Sequence, residues 1–216
     1  MNSLRTNRFW QIALPLLAYY LSYHALHYVF YLLLGKWLGS LGCLGLSSAV
    51  TLAFLYSMYR NLPVVRQKET FEKKEFGQEC VSILLTVLLG IILNIIISNT
   101  PLVDISRGYS EANATLFSGS ILIRIAANAI LIPLLEEVVY RGIVCGQMDL
   151  WYGKKISVVV SALLFGMMHF NVVQFLYAFL MGLALGYVYV RYKKLWVCAA
   201  AHGLTNLVVI LFTALS

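Results

Sequence analysis

Hydrophobic residues in this chain fall into long runs that are separated by short polar segments. Most runs approach the roughly 20 residues that a helix needs to cross a bilayer, and none shows the apolar–polar alternation of a barrel strand. Only helices and closed barrels satisfy their backbone groups in lipid. The pattern therefore predicts an all-α membrane protein, a polytopic bundle of about seven transmembrane helices. The runs cover about residues 11–34, 43–59, 80–98, 120–140, 156–170, 172–190 and 195–214.

The composition supports this class. Hydrophobic residues make up 61% of the chain, charged residues make up 12%, and the mean hydropathy is +0.81. In a soluble domain, roughly a quarter of the residues are charged. A chain of 216 residues has no room for a large soluble domain beside these helices, so we expect residues 1–216 to form a single membrane-embedded domain. The first run lacks a small-residue cleavage site and is predicted to be a retained helix rather than a signal peptide.

Lysines and arginines are concentrated in the loops on one side of the predicted bundle. Twelve of the sixteen fall there, whereas only Lys36 and Arg107 fall in loops on the other side. The positive-inside rule then predicts a cytoplasmic N-terminus and an external C-terminus. The compact chain has no organelle-targeting feature, so we expect a bacterial plasma membrane. The twelve are Arg5, Arg8, Arg60, Arg66, Lys68, Lys73, Lys74, Lys154, Lys155, Arg191, Lys193 and Lys194.

The net charge of +7 follows from this topology, so it predicts no nucleic-acid partner. Segment 60–79 interleaves its bases with glutamates, which favours a solvated or interfacial helix. These glutamates are Glu69, Glu72, Glu75 and Glu79.

The four cysteines are scattered along the chain and form no Cys-x-x-Cys pair. We expect them to be small packing residues rather than a disulfide framework or a zinc finger. They are Cys43, Cys80, Cys145 and Cys198.

Two adjacent glutamates and an arginine stand at the end of the apolar run that opens near Ser120. A carboxylate in the centre of a bilayer costs roughly 2.5 to 3.5 kcal/mol on insertion scales, so such a group indicates a functional site. Glu137 and Arg141 are four residues apart and share a helix face, which predicts an ion pair between them. Glu136 points about 100° away and has no partner nearby in the sequence. It is a candidate general base.

Two later apolar runs each contain a histidine with a companion four residues away, Phe165 with His169 and His202 with Asn206. Taken alone, His169 also fits a core histidine that is hydrogen-bonded to a backbone carbonyl. Together with Glu136, however, these residues supply a base, a group that orients water, and two donors for a developing oxyanion. That set is sufficient for amide hydrolysis without a covalent intermediate.

The three motifs in this order resemble the CPBP intramembrane proteases. These glutamic endopeptidases include the type II CAAX prenyl endopeptidase and bacterial relatives that process bacteriocins or confer immunity. The family motifs Glu-Glu-x-x-x-Arg, Phe-x-x-x-His and His-x-x-x-Asn are all intact here. The resemblance covers the motif-bearing catalytic helices in residues 120–214, whereas the N-terminal half is similar only in its hydrophobicity.

This resemblance implies a role for each motif residue. Glu136 and His169 would activate water, and His202 and Asn206 would stabilise the oxyanion. Glu137, Arg141 and Phe165 would be supporting residues. The resemblance also implies a metal-independent reaction without a cofactor, in which the partner is a membrane-associated peptide or protein substrate in the lipid bilayer.

The depths of these residues conflict if every span is straight. Counted from the span ends at about 1.5 Å per residue, Glu136 and His202 lie roughly 6 to 10 Å from the cytoplasmic side and His169 roughly 20 Å from it. A kink at Pro133 and a short, tilted hairpin formed by the fifth and sixth runs would remove the conflict.

Two other functional classes remain open. In a zinc protease, Glu136, His169 and His202 would be ligands, although the chain has no His-Glu-x-x-His helix. In a non-catalytic immunity factor, adaptor or transporter, the same polar residues would stabilise the bundle. The chain shows no convincing internal repeat of the kind common in transporters.

Overall fold

The computed structural model describes residues 7–62 and 73–215, and these ranges contain helices and connections but no strand. The predicted all-α fold is therefore confirmed. The helical elements are α1 Arg8–Arg60, α2 Lys73–Ser98, α3 Leu102–Ile105, α4 Arg107–Leu116, α5 Ile121–Tyr152, α6 Lys154–Met167, α7 Val172–Tyr192 and α8 Leu195–Leu215.

Helix α1 is a hairpin rather than one straight rod. Its backbone breaks at Gly39, where φ is 66° and ψ is 179°, a region that favours glycine. Beyond the break, the Ser40 hydroxyl lies 3.4 Å from His27 Nε2, although residues 13 positions apart in a straight helix are about 20 Å apart. Tyr19 and Leu55 also belong to one hydrophobic cluster. The arms 8–38 and 40–60 therefore run antiparallel and correspond to the first two predicted runs.

The predicted number of seven spans is not confirmed. Within the described residues, four helices are long and apolar enough to cross a membrane, or five if α4 and α5, which meet at 113°, count as one bent span. The hairpin α1 counts once by this criterion. Helix α6 has 14 residues and is about 21 Å long, which is shorter than the roughly 30 Å hydrocarbon core.

Helix α5 contains two π-helical segments, Ile125–Leu131 and Val138–Cys145, on either side of the α-helical turns Ile132–Glu137. The sequence predicts that this span ends near residue 140, but the helix continues to Tyr152. The helix can continue because the charge of Arg141 is paired with Glu137 inside the protein, where Arg141 is 0% exposed. Residues 143–145, which follow it, are also fully buried. Consequently, both glutamates lie in the middle of a long helix.

Helices α6 and α7 form the expected hairpin, but α6 ends at Met167, three residues earlier than predicted. A Cβ at Gly182 would lie only 2.9 Å from the Ala162 Cα, so the two helices approach closely where glycine provides the space. The Asn171 side chain caps α7 by accepting from the Gln174 N–H. His169 therefore lies in the turn and not in a helix.

Basic residues gather at one end of the bundle, which we call the basic face. The Arg8 guanidinium lies over the Trp151 and Tyr152 rings, 5.8 and 5.4 Å from their centroids, so α1 begins where α5 ends. The opposite face holds the Gly39 bend, α3, α4 and the start of α5, and the turn between α6 and α7 points towards it. The described bases of the basic face are Arg8, Arg60, Lys154, Lys155, Arg191, Lys193 and Lys194.

The predicted interfacial helix over 60–79 is only partly testable, because residues 63–72 lie outside the described residues. Residues 73–79 form the first turns of α2. Glu79 is buried there, 2.6 Å from the Lys194 ammonium, and does not face solvent as an interfacial helix would predict.

Candidate active site

A cavity of about 470 Å³ inside the bundle is lined by Glu136, His169, His202 and Asn206. These are the four residues that the sequence predicts to be catalytic, and they come from α5, α8 and the turn between α6 and α7. The predicted conflict in depth does not arise, because the short helix α6 and the distorted helix α5 bring the residues to one level. Phe165 also lines the cavity.

Glu137 links Arg141 to His202. Its carboxylate lies 3.1 Å from Arg141 Nε and accepts a hydrogen bond from His202 Nδ1 at 2.9 Å. The Glu137 side chain is 1% exposed, and the Arg141 guanidinium also lies 4.7 Å from the centroid of the Phe165 ring. The spacing predicts the ion pair, but the sequence contains no signal for the bond to His202. Glu137 thus fixes the orientation of that imidazole ring.

Glu136 points from α5 into the cavity. Its Oε2 lies 3.7 Å from His202 Nε2, and its side chain is 13% exposed. His169 is close enough for an electrostatic interaction with it. The Tyr140 hydroxyl also belongs to this region and has no hydrogen-bond partner among the described residues. Glu136 is therefore the accessible carboxylate, and Glu137 is the buried one.

His169 is fixed by its own backbone. Its Nδ1 lies 2.9 Å from the Phe165 carbonyl oxygen, and because a carbonyl only accepts, Nδ1 carries the hydrogen. In the neutral ring, Nε2 then has a free lone pair. The Phe165 ring packs edge-on against the imidazole at 5.1 Å. The hydrogen bond to a backbone carbonyl that is expected of a core histidine is therefore present, and it leaves Nε2 free to face the cavity.

Asn206 is positioned by a carbonyl that a proline leaves without a donor. The Ile132 N–H donates to the Ala127 carbonyl, five residues earlier, as in a π-helix. In that register, the Asn128 carbonyl would accept from residue 133, but Pro133 has no N–H. It accepts instead from Asn206 Nδ2 at 2.8 Å. A carboxamide has two N–H donors, so one remains for a ligand.

The side chain of Asn128 strengthens this arrangement. It is 7% exposed, and its Nδ2 donates to the Leu116 carbonyl at 2.6 Å, which ties α5 to the end of α4. Asn128 belongs to none of the three motifs, and the signal that could have identified it is a polar side chain inside an apolar run.

Gly203 sets the distance between α8 and α5. A Cβ at this position would lie 2.4 Å from the Ala129 carbonyl oxygen, so only glycine permits the observed packing. Gly203 follows His202 directly and precedes Asn206 by less than one turn. In the sequence, Gly203 is one of the variable positions of the His-x-x-x-Asn motif, and the pattern contains no signal for this contact.

Among the described residues, no group of three or more histidine, cysteine, aspartate or glutamate side chains is arranged to hold a metal ion. All four cysteines are free, and Cys43, Cys145 and Cys198 are buried. The absence of disulfides agrees with the scattered cysteine pattern.

Comparison with known proteins identifies similarity in the segment that carries the three motifs. Residues 118–208 match the family described as "Type II CAAX prenyl endopeptidase Rce1-like". The Bacillus subtilis (strain 168) protein described as "Putative membrane peptidase YdiL" is 29% identical over 87 residues, which cover 40% of this chain and 36% of that relative. No solved structure matches. The family resemblance carried by the three motifs is thereby confirmed.

Proposed function

We propose that this chain, whose segment 118–208 belongs to the Rce1-like family, is an intramembrane glutamic endopeptidase. It would hydrolyse a peptide bond in a membrane-associated peptide or protein. The observation that carries the proposal is the convergence of one accessible carboxylate, two imidazoles and a carboxamide on a single cavity inside an apolar bundle.

Glu136 and His169 would activate the water. Glu136 takes one proton as the water oxygen attacks the carbonyl carbon, and it later gives that proton to the leaving nitrogen as the C–N bond breaks. The free Nε2 of His169 accepts a hydrogen bond from the same water and orients it. The bond between Nδ1 and the Phe165 carbonyl supports this role, because it selects the required tautomer.

His202 and Asn206 would stabilise the oxyanion. His202 commits Nδ1 to Glu137 and directs Nε2 towards Glu136, and in the imidazolium form Nε2 also donates. Asn206 contributes the N–H that is not bonded to Asn128. Fixed donors that face the site of developing charge lower the barrier, since they need no reorganisation during the reaction.

Replacement of the base tests the proposal. We expect Glu136→Gln to fold normally and to lose about 10²-fold or more in cleavage rate, because it removes the proton acceptor. Glu111→Gln is the matched control, since Glu111 is an exposed partner of Arg107 on α4. Cleavage by the purified protein is followed in detergent with quenched-fluorescent peptides. Native substrates are identified by comparing the membrane peptides of cells that carry each variant. Wild-type turnover in folded Glu136→Gln would refute the glutamic mechanism.

The same preparation tests metal independence. A catalytic zinc ion would make activity depend on the ion, whereas the proposed mechanism requires only side chains. We expect activity to survive a membrane-permeant chelator, with the residual zinc measured by elemental analysis. Activity that disappears with the metal and returns in proportion to added zinc would instead make Glu136, His169 and His202 ligands.

A further inference from the structure

Three tyrosine hydroxyls lie close enough to Glu136 for an electrostatic interaction. They belong to Tyr19 and Tyr23 on the first arm of α1 and to Tyr140 on α5, and all three residues line the catalytic cavity. The reaction proposed above gives them no role. The first arm of α1 also lies outside the segment 118–208 that matches the family, so a role for its tyrosines goes beyond what that match covers.

The three hydroxyls differ in their surroundings. The Tyr23 hydroxyl is hydrogen-bonded to the Ser48 side chain. The Tyr140 hydroxyl has no hydrogen-bond partner among the described residues, but its neighbours enclose it completely. The Tyr19 hydroxyl also forms no hydrogen bond with a described residue, and it is not enclosed in this way. Because Tyr19 is only 8% exposed, it offers the cavity an O–H donor on a side chain that is otherwise buried.

Ring contacts fix the position of Tyr19. Its ring packs edge-on against the Tyr140 ring, with the centroids 6.0 Å apart. The Tyr140 ring packs against Phe165 at 5.0 Å, and Phe165 in turn contacts the imidazoles of His169 and His202 at 5.1 and 5.9 Å. A continuous chain of rings therefore connects Tyr19 to both imidazoles of the site. Side chains that are locked by such packing are suited to hold a reacting group in place.

The reaction proposed above leaves one hydrogen-bonding position of the water unfilled. The two hydrogens of the water point to Glu136 and to His169, and one lone pair attacks the carbonyl carbon. The second lone pair can accept a hydrogen bond from the protein. His202 and Asn206 are assigned to the oxyanion, whereas the Tyr19 hydroxyl has a proton to donate at neutral pH. Tyr19 is therefore suited to fill the fourth position around the water.

We propose, on the basis of the peptidase function above, that Tyr19 is a further catalytic residue, whose hydroxyl donates a hydrogen bond to the hydrolytic water held by Glu136 and His169. This bond engages one lone pair and leaves the other directed at the carbonyl carbon, and such orientation of a reacting group lowers the barrier. Tyr19 keeps its proton throughout, since Glu136 alone takes and returns one. The site is then completed by α1, outside the segment that carries the three motifs.

Replacement of the hydroxyl tests this role. Tyr19→Phe keeps the ring contacts, so we expect normal folding and an unchanged Tm. The value of kcat should fall about five- to tenfold, since one hydrogen bond between neutral partners is worth about that factor, whereas KM should stay the same. Wild-type kcat in folded Tyr19→Phe would overturn the proposal.

Tyr189→Phe is the matched control for the loss of a buried tyrosine hydroxyl. Tyr189 is 3% exposed, is hydrogen-bonded to Tyr59 and does not line the catalytic cavity. This variant should show the reverse pattern, with a lower Tm and an unchanged kcat. A fall in kcat as large as that of Tyr19→Phe would show that the assay responds to general loosening of the bundle, and the proposal would lose its support.

Three other results would assign the hydroxyl to a different partner. The pH–rate profile of Tyr19→Phe should keep its shape at a lower plateau, and a shifted acidic limb would mean that the hydroxyl contacts the Glu136 carboxylate instead of the water. A raised KM with unchanged kcat would mean that it contacts the peptide. A loss of kcat in Tyr140→Phe and none in Tyr19→Phe would make Tyr140 the donor. Each of these results would overturn the proposal.

The blank separates failure of this inference from failure of the peptidase function. All variants are compared in detergent with the same quenched-fluorescent peptides, and Glu136→Gln provides the blank. If the wild-type protein cleaves no faster than the blank, the peptidase function fails, and the role of Tyr19 fails with it. If the wild-type protein cleaves and Tyr19→Phe cleaves equally fast, only the role of Tyr19 is refuted.

Discussion

The close packing of α8 against α5 leads to a sharp prediction for Gly203→Ala. A methyl group at this position would lie 2.4 Å from the Ala129 carbonyl oxygen, whereas ordinary contacts begin near 3.4 Å. The obstacle is backbone and cannot rotate away, so α8 must move by about 1 Å, a displacement that can cost about 10²-fold in rate when it misplaces catalytic groups. His202 is adjacent in the chain and Asn206 is less than one turn away, so both donors move with the helix.

The expected loss in kcat/KM is therefore about 10²-fold, or about 2.7 kcal/mol of transition-state stabilisation. Overpacking costs about 1 to 3 kcal/mol of stability, and replacing glycine by alanine in a helix returns up to about 1 kcal/mol. With the full helix gain, the net loss of stability is about 0 to 2 kcal/mol, which is less than the expected loss of transition-state stabilisation. This difference distinguishes displacement of the catalytic groups from general unfolding.

The assay measures peptide cleavage and thermal unfolding of the same detergent-purified sample. Gly77→Ala is the control, since Gly77 is helical in α2 and a Cβ there meets nothing within 4 Å. The control should keep wild-type activity and gain slightly in stability. Wild-type turnover in Gly203→Ala would show that the contact does not position the catalytic groups and would refute the reasoning.

Three further variants test individual contacts. Glu137→Gln leaves Arg141 buried without its anion, and removal of one member of a buried pair costs about 3 to 5 kcal/mol. The Tm should therefore fall strongly, and an unchanged Tm would contradict the buried ion pair. Asn206→Ala should lower kcat, because the activation free energy should rise by roughly 2.7 to 4 kcal/mol while the affinity for the peptide barely changes. A large rise in Kd with unchanged single-turnover chemistry would instead make Asn206 a substrate-binding residue. Pro133→Ala introduces a backbone N–H that competes with Asn206 for the Asn128 carbonyl, so activity should fall while the Tm stays the same or rises. Wild-type activity in this variant would show that Pro133 has no part in positioning Asn206.

Helix type and the identity of the motif residues could be predicted from the sequence because both depend on local patterns. The apolar runs predict helices, and a spacing of four predicts the contacts between Glu137 and Arg141 and between Phe165 and His169. These contacts exist because each pair lies within one turn of backbone.

Contacts between distant helices left no signal in the pattern. Glu137 and His202 are 65 residues apart, and Asn128 and Asn206 are 78 residues apart. Their pairing depends on how α5 and α8 pack and, for Asn206, on a π-helical register that hydropathy does not encode. The end of α5 was predicted wrongly for a related reason, because a charge that is neutralised inside the protein no longer marks the end of an apolar helix.

The short helix α6 has a consequence for the surrounding bilayer. Its lipid-facing stripe of Ile156, Val159, Leu163 and Met167 extends about 17 Å along the helix axis, far less than the roughly 30 Å of hydrocarbon around it. A bilayer adapts to such a mismatch by becoming thinner next to the short segment. Lipid headgroups and water then come close to the turn that carries His169, so we expect the rate of the proposed hydrolysis to depend on the acyl-chain length of the surrounding lipids.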